Sequence, residues 1–404
     1  MEQFGPELRK RRIAAGRSLG ELSKLVHYSK GYLSKIENGT KPAGLDLAQR
    51  CDSVLEAAGE LVALARSQRA APNPSPSIDL GEEWIVGLEP DTRSGGPAAS
   101  PAEPGPSDDR SLADFRGIFD HLRGLSQRVT PDELVPPLVS LTRTLRQRRA
   151  QPQMLMLASR FAELTGWMVQ EKGDDSLSLR WTNYATDLAA LAGDDQMTAY
   201  RFLRYADVAL YRHDPIATLE YARQAQREPG SSRVYSLAAQ REAQGHAIAG
   251  DYSGFRRALD QSAHYLDRGL EATDAGKPIL GTSTIADPVA MTTGWCLHDL
   301  ARSKEAVAVL SAEVERIPAD AVRARARYGV RLALALASIR ELEQSQAVLE
   351  PILPMLPRID SATIRTDLKR LSHTCNRWAR DPAVRVILPQ ISAALHRVVP
   401  GSVP

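Results

Sequence analysis

Between Gly16 and Gly39 the apolar positions fall into two short helical runs separated by a break. Leu19, Leu22, Leu25 and Val26 recur at the three-and-four spacing of one helical face, and Leu33 and Ile36 resume it after His27-Tyr28. Ser18, followed three residues later by Glu21, forms the capping-box pattern of a helix start. Ser29 can cap the second run, and Asn38-Gly39 ends it with residues that tolerate left-handed backbone. Two short helices joined by a tight turn predict a helix-turn-helix. A preceding helix is expected over Phe4 to Ala15, with Leu8 and Ile13 inward, and two more over Leu45 to Leu55 and Glu56 to Arg69. The expectation for residues 1–69 is therefore a compact five-helix domain.

Residues 70–110 break the pattern. Pro72, Pro74, Pro76, Pro90, Pro97, Pro101, Pro104 and Pro106, among Ser and Gly, deny this stretch a regular element and mark a linker. One apolar island, Trp84-Ile85-Val86, lies inside it. Residues 111–400 then read as helix after helix with no alternating strand run, so the fold class is all-α. That region has a rhythm. Ala158, Ala162, Trp167 and Met168 mark one face, closed by Gly173-Asp174. Leu177, Trp181, Tyr184, Ala185 and Leu188 mark the next, closed by Gly193-Asp194. Tyr184-Ala185 recurs as Tyr221-Ala222, 37 residues on, and Gly250-Asp251 divides a further pair, Tyr235 to Ala249 and Tyr252 to Leu270. Two more pairs follow over Val289 to Val314 and Asp320 to Leu356. A period of roughly 34 to 40 residues with small contact residues resembles a tetratricopeptide-like solenoid, although no repeat carries that family's full residue pattern. An irregular helical bundle is the alternative.

Charge sharpens the picture of the first domain. Residues 1–41 hold nine bases and four acids, a net of +5, so the rest of the chain carries −3 of the overall +2. Five of the nine lysines sit in this opening tenth, which suits a small phosphate-facing module. The 42 arginines suggest a GC-rich genome, in the style of actinobacteria. Cys51, Cys296 and Cys375 are far apart and lack metal-ligand spacing, which fits small buried side chains in a reducing compartment. No run reaches the roughly 18 apolar residues of a membrane span and no signal peptide is visible, so a cytoplasmic protein is expected.

The segment from Leu8 to Pro42 resembles the Cro and phage-repressor type of DNA-binding domain, the XRE family. Leu8, Arg12, Gly16, Ser18, Leu22, the run Ser29-x-x-x-Leu33-Ser34-x-Ile36-Glu37-x-Gly39 and Pro42 carry the resemblance, which covers about a sixth of the chain. Arg17 departs from it, standing where the family usually has an apolar residue. Groove geometry places the start of the second motif helix at base edges. Lys30, Gly31, Ser34 and Lys35, with Tyr32 beside them, are then the base-facing candidates; a lysine can donate to guanine O6 and N7. Arg17, Ser18, Ser29, Asn38 and Lys41 are candidates for phosphate contacts. The resemblance implies that Arg12 and Glu37 form an internal ion pair. It also implies an operator of double-stranded DNA with two half-sites about one helical turn apart, and a homodimer to read it.

A helix-turn-helix needs little more chain to bind DNA, so the large helical region asks for its own role. A solenoid presents a concave surface suited to a peptide, a small molecule or a protein. Arg204, Tyr205, Arg241 and Trp295 are the candidate groove residues. The architecture resembles the peptide-responsive regulators of Gram-positive bacteria. A linker of about 38 residues can span roughly 35 Å as a coil, so dimer contacts can lie entirely in the C-terminal region. Catalysis finds little support: no phosphate loop, His-Glu-x-x-His or Gly-x-Ser-x-Gly occurs, the eight histidines are scattered, and no metal or cofactor is expected. The rival to a transcription regulator is an antitoxin-like adaptor that works through its helical repeats and binds DNA only weakly.

Overall fold

The computed structural model describes residues 4–26, 30–38, 45–55, 57, 59–62, 64, 106–148, 151–271 and 279–396. The described chain is all-α and divides into two compact units, Met1–Glu89 and Pro90–Pro404.

The first unit contains α1 (Phe4–Ala14), α2 (Leu19–Val26), α3 (Lys30–Glu37) and α4 (Leu45–Val54). Of the fifth helix expected over Glu56 to Arg69, residues 60–62 and 64 are described and helical, Ala57 and Gly59 are described and not helical, and the others, like Trp84-Ile85-Val86, lie outside the described residues. Its core joins Phe4 and Leu8 to Leu22 and Val26, Leu33 and Ile36, then Leu47, Cys51 and Leu61. Gly5 matters to this packing: a Cβ there would stand 2.3 Å from the carbonyl oxygen of Ile36, so only glycine lets α1 approach the end of α3 so closely. Two inward assignments are corrected. Ile13 is 59% exposed and Leu25 44%. Phe4, Leu8 and the half-buried Arg12 set the inner arc of α1, and one step further, at Ile13, the helix has turned outward by about 100°. Leu22 and Val26 do the same for α2 and leave Leu25 in solvent.

The second unit opens with α5 (Pro106–Leu125) and α6 (Pro131–Gln147). Helix α5 begins inside the stretch read as linker, since proline suits a first helical turn, where its missing N–H is no loss. Antiparallel pairs follow: α7 (Pro152–Lys172) with α8 (Asp175–Leu191), α9 (Gln196–Tyr211) with α10 (Pro215–Ala225), and α11 (Ser232–Ile248) with α12 (Tyr252–Glu271). Next come α13 (Pro288–Asp299) with α14 (Ser303–Glu315) and α15 (Val322–Ser338) with α16 (Leu342–Leu349). A one-turn helix α17 (Leu356–Ile359) leads to α18 (Ala362–Cys375) and α19 (Pro382–His396).

The turn inside each of the five pairs has one geometry. Residues 173, 213, 250, 301 and 340 all have positive φ. After each, the next amide donates back to the carbonyl five residues before it: Asp174 to Val169, Asp214 to Ala209, Asp251 to His246, Arg302 to Leu297 and Glu341 to Leu336. This is the Schellman arrangement, which satisfies the carbonyls that a helix end leaves orphaned. Asp174 and Asp214 then cap the following helix, accepting from the amides of Leu177 and Ala217.

The pairs wind until α15 and α18 meet α5 and α7. Arg323 on α15 donates Nε to Ser126 O (2.9 Å), Nη2 to Val129 O (2.6 Å) and Nη1 to Glu171 (3.1 Å) on α7. Arg327 and Ser361 also hold Glu171, and Thr363 on α18 donates to it at 3.0 Å. A closed ring of helices results.

Candidate nucleic-acid interface and inner cavity

Ser18 starts α2 as its sequence pattern predicts. The Ser18 amide donates to Glu21 Oε2 (2.7 Å), and the Glu21 amide donates back to Ser18 Oγ (3.2 Å). Arg12 and Glu37 form a two-pronged pair, Nε to Oε1 at 2.6 Å and Nη2 to Oε2 at 2.9 Å, which ties α1 to the end of α3. Hydrogen bonding to Glu37 pushes the Arg12 guanidinium further up. Arg12 Nη1 also donates to the carbonyl of Arg17 (2.9 Å), fixing the turn before α2. Arg17 itself points to solvent, so its departure from the family pattern displaces nothing from the core.

Helix α3 buries Leu33, Ile36 and Glu37 on one arc. Lys30, Lys35 and Asn38 are exposed on the opposite arc, with half-buried Ser34 between them. Gly31 and Tyr32 belong to the same helix; Ser29 and Lys41 lie outside the described residues. One feature sequence reasoning missed is Asp52. Its carboxylate accepts from the amides of Gly59 (2.7 Å) and Val62 (3.2 Å), pinning the turn after α4. An acid at the end of one helix and a glycine seven residues on were the only signal for it.

Residues 3–65 match the family model of a helix-turn-helix domain. Neither the curated proteins nor the solved structures give a match. The exposed arc of the helix-turn-helix unit is thus the candidate nucleic-acid interface.

The second unit holds a cavity of about 580 Å³. The first helices of the pairs supply most of its wall, with α5 and the segment around residues 279–288 contributing the rest. Arg204, Arg241 and Trp295 line it, but Tyr205 does not. The Tyr205 hydroxyl instead donates to Asn183 on α8, and its ring packs edge-on against Tyr221, because it sits one position past Arg204 around the helix. Sequence reasoning missed the residues that organise this wall. Asp207 takes both Arg204 (3.0 Å) and Arg241, joining α9 to α11. Arg204 passes on to Gln170 Oε1 (2.7 Å) and Arg241 to Gln244 Oε1 (3.0 Å). Asp207 lies 34 residues from Arg241, and so does Gln170 from Arg204, so the repeat period that spaces the helices also spaces the charges.

At the ring closure, burial alone would raise the Glu171 carboxyl, but Arg327 and Arg323 outweigh it and hold it down at about 2. The three cysteines are free and buried, and burial pushes the Cys51 thiol up to about 12. Among the described residues no group of His, Cys, Asp and Glu is placed to hold a metal. None of the described helices is long and apolar enough to cross a membrane.

Proposed function

We propose that the protein is a sequence-specific transcription regulator that reads duplex DNA with α3 and senses a signal, or dimerises, through its C-terminal helical array. The observation that supports it best is the helix-turn-helix match over residues 3–65 together with the outward placement of Lys30 and Lys35. On this reading the start of α3 enters the major groove, Lys30, Gly31, Tyr32, Ser34 and Lys35 face base edges, and Arg17, Ser18, Ser29, Asn38 and Lys41 hold phosphates. Anchoring α3 to α1 through Arg12 and Glu37 keeps the reading helix rigid, which preserves the register that base contacts need. The array is read as tetratricopeptide-like because helix pairs with equivalent turns stack in chain order, and it supplies the contacts of a homodimer whose two readers span two half-sites.

Gel-shift titration over genomic fragments tests this. Specific, saturable shifts are expected, and Lys30→Ala and Lys35→Ala should each cost about 1–3 kcal/mol at the preferred operator. Only weak binding that vanishes with modest salt, and no effect of either substitution, would instead favour an adaptor that works through the array alone.

A further inference from the structure

The cavity inside the ring is lopsided in its hydrogen bonding. Among its lining residues, five buried nitrogen donors lack an acceptor: Arg160 Nε, Gln170 Nε2, Arg204 Nε, Gln244 Nε2 and Arg327 Nε. Among the described side chains, no oxygen of a lining residue is in that state. A buried donor without a partner loses its hydration and gains nothing in return, so what such a wall lacks is acceptor oxygen.

The two carboxamides are the informative members. Gln170 Oε1 and Gln244 Oε1 are already occupied, by Arg204 Nη2 and Arg241 Nη1. Those arginines are themselves fixed by one shared carboxylate, Asp207. Each amide is thereby held with its oxygen toward an arginine, and its nitrogen is left as an oriented donor. Charge is close to balanced and does not oppose this: the lining residues hold six arginines against five acids, with two arginines sharing Asp207 and two more, Arg323 and Arg327, sharing Glu171. Glu163 lies 3.9 Å from Arg204 Nε, beyond hydrogen-bond reach. The aromatic side chains of Trp167, Tyr211 and Trp295 meet the same space and offer an apolar seat.

Size and enclosure select among occupants. A volume near 580 Å³ falls within the range of small-molecule sites. The Arg323–Glu171 closure bounds it, and Arg123 Nη2 donates to Gly281 O (2.5 Å) across the segment beside it. An extended peptide needs a groove that runs on; this space suits a compact guest.

We propose that the cavity binds a small organic monocarboxylate with an aromatic or alkyl body, its carboxylate accepting from Gln170 Nε2 and Gln244 Nε2. The inference deepens the sensing role proposed above and rests on it only for its regulatory meaning. Binding is measured on the full chain without DNA, so failure here leaves the DNA-reading proposal standing, and failure of that proposal leaves this one testable.

The experiment uses matched pairs that share a body and differ in the polar group: indole-3-acetate and tryptamine, phenylacetate and phenethylamine, octanoate and octylamine. Isothermal titration of the full-length protein should give saturable one-to-one binding of at least one acid, about tenfold or more tighter than its matched amine. Gln170→Leu and Gln244→Leu, checked for unchanged melting curves, should each weaken that acid about 5- to 30-fold. Gln244→Glu, which swaps a donor for an acceptor, should move the preference toward the amine. A merely structural glutamine would not invert selectivity in this way. Equal binding of acid and amine, acid binding indifferent to all three substitutions, or no binding by any of the six compounds at millimolar concentration would overturn the proposal and leave a cavity filled by water.

Discussion

In the helix-turn-helix unit the lysines proposed to read DNA, Lys30 and Lys35, are exposed, and the buried carboxylate of Glu37 holds a single arginine. In the ring unit the arrangement is inverted: Arg160, Arg323 and Glu171 are almost wholly buried, and their charged partners are brought from 34 to 156 residues away. A charge in solvent is available to a polyanion but adds little to folding, whereas a charge inside must be fully matched or it destabilises. On the proposed reading, the same residue types serve recognition in one unit and architecture in the other.

The sharpest way to break this contrast is Glu171→Ala. It strands Arg323 and Arg327 inside the ring, and removing one partner of a buried pair costs about 3–5 kcal/mol. Differential scanning calorimetry should show the ring transition falling by many degrees while the helix-turn-helix transition stays in place. Movement of both together would mean that the units do not melt separately.

Acid should act on the same unit with a somewhat smaller effect. Burial lowers His298 from 6.5 to about 4, so between those values the unfolded chain takes up a proton that the folded chain refuses. Stability therefore falls as pH drops from 6.5 toward 4, by about 2–3 kcal/mol. Glu171, depressed from 4.5 to about 2, gives stabilisation that is complete above 4.5 and is lost on further acidification toward 2. Melting at about pH 7, 5.5 and 4 checks the first window; a ring transition that does not move between the first two would remove His298 from the account.

Smallest is Arg12→Ala, at about 2 kcal/mol, confined to the helix-turn-helix unit. Arg12→Lys should recover only part of it, because an ammonium cannot match the two oxygens of Glu37 at once. Chemical denaturation followed by circular dichroism reads both variants.

The first unit was largely legible in its residues because its signals are local. A capping box, an apolar stripe and a helix terminator each lie within a few positions of what they decide, and Ser18, Glu21, Leu33 and Ile36 do what their spacing predicts. The errors, Ile13 and Leu25, come from asking a short helix to bury a wider stripe than a small core can accept. The ring unit was legible only as a rhythm. Gly173-Asp174 and Gly250-Asp251 announced two of the five inner turns, but the other three use His213, Ala301 and Arg340 at the positive-φ position, where no composition rule would look. Such residues adopt that backbone at some energetic expense, and the helix-end hydrogen bonds around them hold it in place. Asp207 and Glu171 were invisible for a different reason: each is defined by partners on other helices, and a lone acid in a helical run reads as a solvated one.

Arg323 has a further consequence. In an open stack of repeats each module touches only its neighbours, so the ends can fray and modules can be gained or lost with modest penalty. Here one guanidinium clasps carbonyl groups about 195 residues away, stitching the finish of the stack to its start. The clasp ties the fifth pair to the segment after α5, so these two stretches cannot part without breaking it, and excising a pair between them should strain or break it. The number of pairs is thereby coupled to closure, in a way that an open array never requires.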